Sequence, residues 1–119
     1  NNVLKKLHSR GDKIAIATNK RQSPTMSLIK HYGWTEYFEW IACIDKHQNV
    51  ASKSEMLKIY LEKYKHFKSA TFIGDTVDDG LSAYENNLSF IWAKYGYGCN
   101  QNWSNIPIKK SILSLVDLL

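Results

Sequence analysis

Three aspartates, Asp75, Asp78 and Asp79, crowd into the short stretch "GDTVDDG" just after the apolar run "ATFIG" (70–74). The chain that carries them has a formal net charge of +5. Close carboxylates repel one another unless a metal ion or a cationic side chain offsets them. A structural role competes with that chemistry: Asp78 or Asp79 as a helix cap, and Asp75 as a turn residue. Two other places suit the chemical reading. Thr18 ends the run "KIAIAT" (13–18) and is followed by Asn19, a hydroxyl and free N–H groups that can donate to phosphate oxygens. Lys53 stands in "ASKSEML" where a helix begins. The helix macrodipole disfavours a cation there, so a facing anion would explain it. Asp75 offers an oxygen to Mg²⁺, which usually takes one or two carboxylates plus water and substrate phosphate. Asp79 lies one helical turn further on and suits ligation through water or a hold on Lys53. Taken singly, Thr18 is a β-branched strand end and Lys53 a solvated lysine. Taken together, they suit a phosphate bound beside a divalent cation.

The elements that would position these residues alternate regularly. "NVLKKLHSR" (2–10) reads as an amphipathic helix ended by Gly11, and 13–18 as an apolar strand covered on both faces. Ser23 and Pro24 start a helix over 24–32 that stops at Gly33. Strands follow at 37–44, 70–74 and 88–93, with helices over 52–64, capped by Ser52, over 78–86, and over 110–119. Such alternation predicts a parallel sheet with helices on both faces, an α/β sandwich of three layers. Ligands of such sheets gather at the carboxyl ends of the strands, which is where Thr18, Asn19 and Asp75 fall. The loop "AKYGYG" belongs to the same rim, and Lys53 joins it from a helix start.

Composition narrows the classes. At 119 residues with 44% hydrophobic and 13% aromatic content, the chain is one globular domain at most. No apolar run approaches the roughly 20 residues of a membrane span, and no signal peptide stands at the start. Cys43 and Cys99 have no metal-ligand spacing and read as reduced thiols of a cytoplasmic protein. The 16 Lys and Arg against 11 Asp and Glu invite a nucleic-acid reading, but the lysines are scattered along helix-like segments with no basic block. Solvated helix faces account for them better.

"KIAIATNK", Lys53 in "ASKSEML" and "FIGDTVDDGLSAYENN" resemble motifs two, three and four of the haloacid dehalogenase-like (HAD) hydrolases. The subgroup they resemble is that of phosphoglycolate phosphatase and β-phosphoglucomutase. "FIWAKYGYG" is similar to the strand and aromatic-glycine loop that follow there, so the resemblance spans essentially the whole chain. It implies a Rossmann-like core. It also implies that Thr18 and the Asn19 N–H bind the transferring phosphoryl group and that Lys53 balances charge on phosphate and nucleophile. Asp75 would bind Mg²⁺, with Asp79 behind it or as a further ligand, and without the nucleophile's carboxylate the metal would be held weakly or be absent in this chain. The substrate implied is a small phosphorylated metabolite, not nucleic acid or membrane. Receiver domains use the same residue types, but in the order Asp, Thr, Lys; here the order is Thr, Lys, Asp.

One departure outweighs the matches. The family's first motif, a strand ending in Asp-x-Asp, supplies the nucleophile and the general acid–base. Upstream of "KIAIATNK" there is only "NNVLKKLHSRGD", and no Asp-x-Asp occurs anywhere in the sequence. Asp12 precedes a strand, Asp45 stands alone, and His47 reads as a surface-loop histidine. The helical cap between motifs one and two is missing as well, as is the proline that often follows the motif-three lysine. The chain therefore reads as the C-terminal portion of a phosphatase, inactive by the covalent route on its own. The alternative is a non-catalytic module that binds phosphate or a protein. In the family the missing strand lies between the strand ending at Thr18 and that ending at Gly74. The expectation is one four-stranded sheet in which those two strands pair directly, or in which a partner chain or an N-terminal segment fills the gap. Antiparallel strands, or placement of 13–18 and 70–74 in different sheets, would make this reading wrong.

Overall fold

The computed structural model describes residues 2–43, 52–64 and 70–119. Asp45 and His47 lie outside the described residues. The chain falls into two compact units, Asn1–Met56 with Leu119 and Leu57–Leu118.

In the first unit, helix α1 (Asn2–Ser9) leads into strand β1 (Ile14–Thr18), helix α2 (Gln22–His31), a 3₁₀ turn (Thr35–Tyr37) and strand β2 (Phe38–Cys43). β1 and β2 pair in parallel, so Thr18 lies opposite Cys43 at the carboxyl ends of both strands. Val3, Ile29, Trp40, Ala42 and Cys43 are the buried apolar residues of these elements. α2 starts earlier than the sequence suggests. Arg21 takes the cap position without a side-chain bond, and Pro24 sits inside the first turn, where its missing N–H has no helical partner to lose.

α1 and α2 end by the same device. Gly11 and Gly33 both take positive φ, +94° and +68°. The Gly33 N–H reaches the Lys30 carbonyl at 3.1 Å and the Trp34 N–H the Ile29 carbonyl at 2.9 Å, a Schellman closure. Gly11 and Asp12 repeat that pattern on His8 and Leu7. Helix α3 (Lys53–Tyr64) carries Met56, Leu57 and Leu61 as its buried positions. Its start is as expected, because the Ser52 Oγ accepts the Glu55 N–H at 3.2 Å.

The second unit holds strand β3 (Thr71–Gly74), helix α4 (Val77–Glu85), strand β4 (Ser89–Ala93), strand β5 (Lys110–Ile112) and a closing 3₁₀ turn (Leu115–Leu118). The strands form a three-stranded parallel sheet in the order β3–β4–β5. The helix expected over 110–119 is not there. Beyond the paired strands, the Lys109 N–H reaches the Phe90 carbonyl at 2.8 Å and the Lys94 N–H reaches the Ile112 carbonyl at 3.0 Å. Ile112 is buried beside Ile91 and Ala93, with Leu118 packed on them. The edge of β4 supplies a ladder that helical periodicity cannot match. The Asp117 carboxylate then accepts the Leu113 and Ser114 N–H groups and turns the chain.

All the strand pairs are parallel, as expected, but the single sheet is not. β1 pairs only with β2, and β3 only with β4, so the two strands expected to flank the gap lie in different sheets. Each keeps one edge without a strand partner among the described residues. The expectation of direct closure fails here. β1 is accordingly half-buried along its whole length rather than covered on both faces, and Ile73 in β3 remains 37% exposed.

No atom stands within 4 Å of a Cβ built on Gly33, so only its backbone angle resists substitution. Gly33→Ala is expected to lower stability by about 1–2 kcal/mol, the cost of a Cβ in the left-handed region. Urea unfolding measures the change, and a difference near zero would show that the α2 terminus relaxes out of the Schellman geometry.

Candidate functional site

The acidic turn after β3 is built by one reciprocal capping arrangement. Thr76 is the N-cap of α4, and its Oγ1 accepts the Asp79 N–H at 3.2 Å. Asp79 returns the bond: its Oδ2 accepts the N–H groups of Thr76 at 3.2 Å and of Asp75 at 3.1 Å. The Thr-x-x-Asp spacing is a capping-box signal, and of the two aspartates open to a cap role it is Asp79 that takes it. Asp79 is 3% exposed, and its Oδ2 is committed to the backbone. It positions Asp75. Gly74 makes room for it, because a Cβ there would overlap the Asp79 side chain. Asp78 is exposed on the first turn of α4, and its carbonyl accepts the Ser82 hydroxyl.

Asp75 is half-buried and gripped from the other side by the loop after β4. Its Oδ2 accepts the Tyr97 N–H at 2.9 Å. A Cβ on Gly96 would strike the Asp75 carboxylate, and one on Gly98 would strike the Asp75 backbone carbonyl. The alternating glycines of "YGYG" thus exist for close approach, at φ values any residue adopts. Tyr95 stands nearby. Partial burial and the negative charge of Asp75 hold its phenol above the usual range, so it remains a neutral hydroxyl at physiological pH.

The following segment fastens this loop. The Gln101 side chain accepts the Val77 N–H at 2.7 Å, satisfying a first-turn donor of α4. The Trp103 indole N–H donates to the Gly98 carbonyl at 2.8 Å. Its ring stacks on Trp92 at 4.2 Å and Phe90 at 6.0 Å between centroids, and Gly80 in α4 leaves space beside it. The Lys94 ammonium lies 5.1 Å from the Trp92 ring centroid, a cation–π contact that also pins the start of the loop.

In the first unit, Thr18 closes β1 at the strand's carboxyl end, and its Oγ1 accepts the Lys20 N–H at 3.1 Å. This small turn holds the hydroxyl in place beside the exposed Asn19. Lys53 is the first residue of α3 and is half-buried, directly after the Ser52 cap. Each of the residues singled out in the sequence therefore stands at a strand end or helix start. Among the described residues, no group of three or more His, Cys, Asp or Glu side chains is arranged to hold a metal ion. What the acidic turn offers a hard cation is a single prepared carboxylate. The second oxygen of Asp75 has no hydrogen-bond partner among the described residues, which suits Mg²⁺ as one ligand of a larger set. No helix among the described residues is long and apolar enough to cross a membrane.

A family profile described as Haloacid dehalogenase-like hydrolase matches residues 1–93. A phosphoglycolate phosphatase from Rhodobacter capsulatus is 30% identical over 95 residues, which cover 80% of this chain and 43% of the relative. The pyrophosphatase PpaX of Halalkalibacterium halodurans is 32% identical over 96 residues, 80% of this chain and 44% of its own length. The chain thus spans less than half the length of these two relatives. A haloacid dehalogenase-like family hydrolase from Streptococcus pneumoniae superposes with a TM-score of 0.84 at 20% identity, over 98% of this chain and 55% of that one. At that identity the likeness shows the fold alone.

The two loop glycines separate stability from site geometry. Gly98→Ala meets backbone, which cannot swing aside, and is expected to destabilise the second unit by several kcal/mol, on the order of a severe overpacking. Gly96→Ala meets the Asp75 side chain from its Cβ to its carboxylate and is expected to displace that side chain at a smaller cost, about 1–3 kcal/mol. Thermal unfolding of the two variants ranks them, and the reverse order would contradict the close approach at Gly98.

Proposed function

The chain belongs to the haloacid dehalogenase-like hydrolases, and from that premise we propose that it is the C-terminal portion of a Mg²⁺-dependent phosphatase acting on a small phosphate monoester. The observation that carries the proposal is the prepared Asp75 carboxylate at the end of β3, held by the Asp79 capping box on one side and by the Tyr97 N–H on the other. The names of the two relatives, a phosphoglycolate phosphatase and a pyrophosphatase, support a small phosphorylated metabolite as the substrate class.

In this reading the Thr18 hydroxyl and the Asn19 N–H bind oxygens of the phosphoryl group. Lys53 balances the charge on the phosphate and on an attacking carboxylate. Asp75 holds Mg²⁺, and Asp79 keeps Asp75 aimed. The metal, when bound, supplies charge neutralisation at the phosphate, as phosphoryl transfer in general requires. The attacking carboxylate is not in this sequence, which has no Asp-x-Asp. It would come from a strand that fills the open edges of β1 and β3, contributed by an N-terminal segment or by a partner chain. Cytoplasmic residence fits the same reading.

The chain by itself is expected to show no Mg²⁺-dependent cleavage of p-nitrophenyl phosphate. Joining an upstream strand that ends in Asp-x-Asp should confer it. Thr18→Ala, Lys53→Ala and Asp75→Ala should each then lower kcat/KM by about a hundredfold or more, the usual effect of deleting one transition-state contact. Robust turnover by this chain alone would overturn the assignment. Failure of the completed protein to turn over, together with retained phosphate binding, would favour a non-catalytic binding module.

A further inference from the structure

We infer that Trp103 is a positioning residue for Asp75, acting through the Gly98 carbonyl and the 95–98 loop. Trp103 lies beyond the 1–93 segment that the family profile matches, in the stretch between β4 and β5. The chain of contacts is short. The Trp103 indole N–H holds the Gly98 carbonyl at 2.8 Å. Gly98 packs against the Asp75 backbone so closely that it has no room for a Cβ. The adjacent Tyr97 N–H, one residue earlier, donates to the Asp75 Oδ2 at 2.9 Å. Fixing the Gly98 carbonyl therefore fixes the 98–99 peptide plane, one plane removed from the 96–97 plane whose Tyr97 N–H orients the carboxylate.

The Trp103 ring has little freedom of its own. It stacks on Trp92 at 4.2 Å with an interplanar angle of 28° and lies near-parallel to Phe90 at 18°. β4 contributes both of those rings, so the indole is a rigid strut from the sheet to the loop. The side chain of Tyr97 itself is 96% exposed, so the loop is not held down by burial of its own residues. Trp103 anchors it together with the Asp75 carboxylate on the Tyr97 N–H, Gln101 on the Val77 N–H, the cation–π contact at Lys94 and the Cys99 thiol bonded to the Lys94 carbonyl. A cation that binds Asp75 through its second oxygen would find that oxygen already aimed, with less ordering left to do on binding. The inference rests on the reading of Asp75 as a metal ligand only for its cation part.

Trp103→Phe keeps the ring stack and removes the N–H. Trp92→Phe keeps the Gly98 bond and serves as a control for general softening of the aromatic cluster. In the 119-residue chain, amide hydrogen exchange at Tyr97 is expected to quicken about tenfold in Trp103→Phe and to stay within about twofold of the native rate in Trp92→Phe, as loss of one hydrogen bond implies. Paramagnetic broadening of the Asp75 and Tyr97 amides by Mn²⁺, used as a stand-in for Mg²⁺, should require about five to ten times more ion in Trp103→Phe. An unchanged Tyr97 exchange rate in Trp103→Phe overturns the inference, as does equal quickening in both variants. Absence of Mn²⁺ broadening in the native chain, with Tyr97 exchange still faster in Trp103→Phe, removes Asp75 as a metal ligand while upholding the hold of Trp103 on its carboxylate.

Discussion

A buried carboxylate that accepts two backbone N–H groups organises the acidic turn. The Asp79 Oδ2 takes the N–H groups of Asp75 and Thr76, and the Thr76 hydroxyl takes that of Asp79. The start of α4 satisfies its donors this way, and Asp75 acquires a fixed backbone at the end of β3. Charge-assisted hydrogen bonds to a carboxylate are worth about 1.5–3 kcal/mol each, which is enough to pay for burying Asp79. Two neighbouring glycines follow from the same constraint. Gly74 leaves space for the Asp79 side chain, and Gly98 lets the later loop lie against the Asp75 carbonyl. The local +0.5 charge equivalent of a helix N-terminus also favours acidic side chains at Asp78 and Asp79. The acidic density that first drew attention to this turn is therefore divided between architecture and chemistry. Asp79 builds the turn through its Oδ2, and Asp75 stands aimed at its edge.

The first unit solves the equivalent problem with lighter means. A hydroxyl at a strand end is mobile unless something holds it, and the Lys20 N–H does so for Thr18. A lysine in a helix's first turn works against the macrodipole, and the Ser52 cap beneath it gives α3 a start that does not depend on residue 53. In both units an ordinary end-capping bond sits directly beside the residue that would do the chemistry. Functional side chains at the ends of elements are aimed by the same bonds that terminate those elements.

Much of this was legible from residue patterns. The helices near 2–10 and 52–64, the strands near 13–18, 37–44, 70–74 and 88–93, and the parallel pairing all follow from periodicity, glycine stops and a serine cap. The positions of Thr18, Lys53 and Asp75 at element ends followed too, because strand–helix alternation fixes which ends face which way. Three things were not legible. The segment 110–119 has helical spacing, but the open edge of β4 and the Ser114–Asp117 turn decide its state, and neither is local to the pattern. The division into two sheets turns on long-range pairing, which local periodicity does not carry. Asp79 was legible in part, since the cap reading stood beside the cation reading and the Thr-x-x-Asp spacing carried its signal. Trp103 could not be found by motif at all, since it works through a carbonyl and a ring stack.

The strand pairing also bears on how the chain reaches this state. Each ladder joins strands that follow one another in the sequence: β1 with β2, β3 with β4, and β4 with β5. The chain segments to be closed are short, so each unit can assemble early and on its own. Among the described residues four strands then keep an open edge, β1, β2, β3 and β5, and two of them, "IAIAT" and "TFIG", contain no charged residue and no proline. Natural sheets blunt such edges with lysines, prolines or bulges, and bare apolar ones recruit strands from other molecules. For this chain that hazard grows with the concentration of its own copies, which carry the same bare edges.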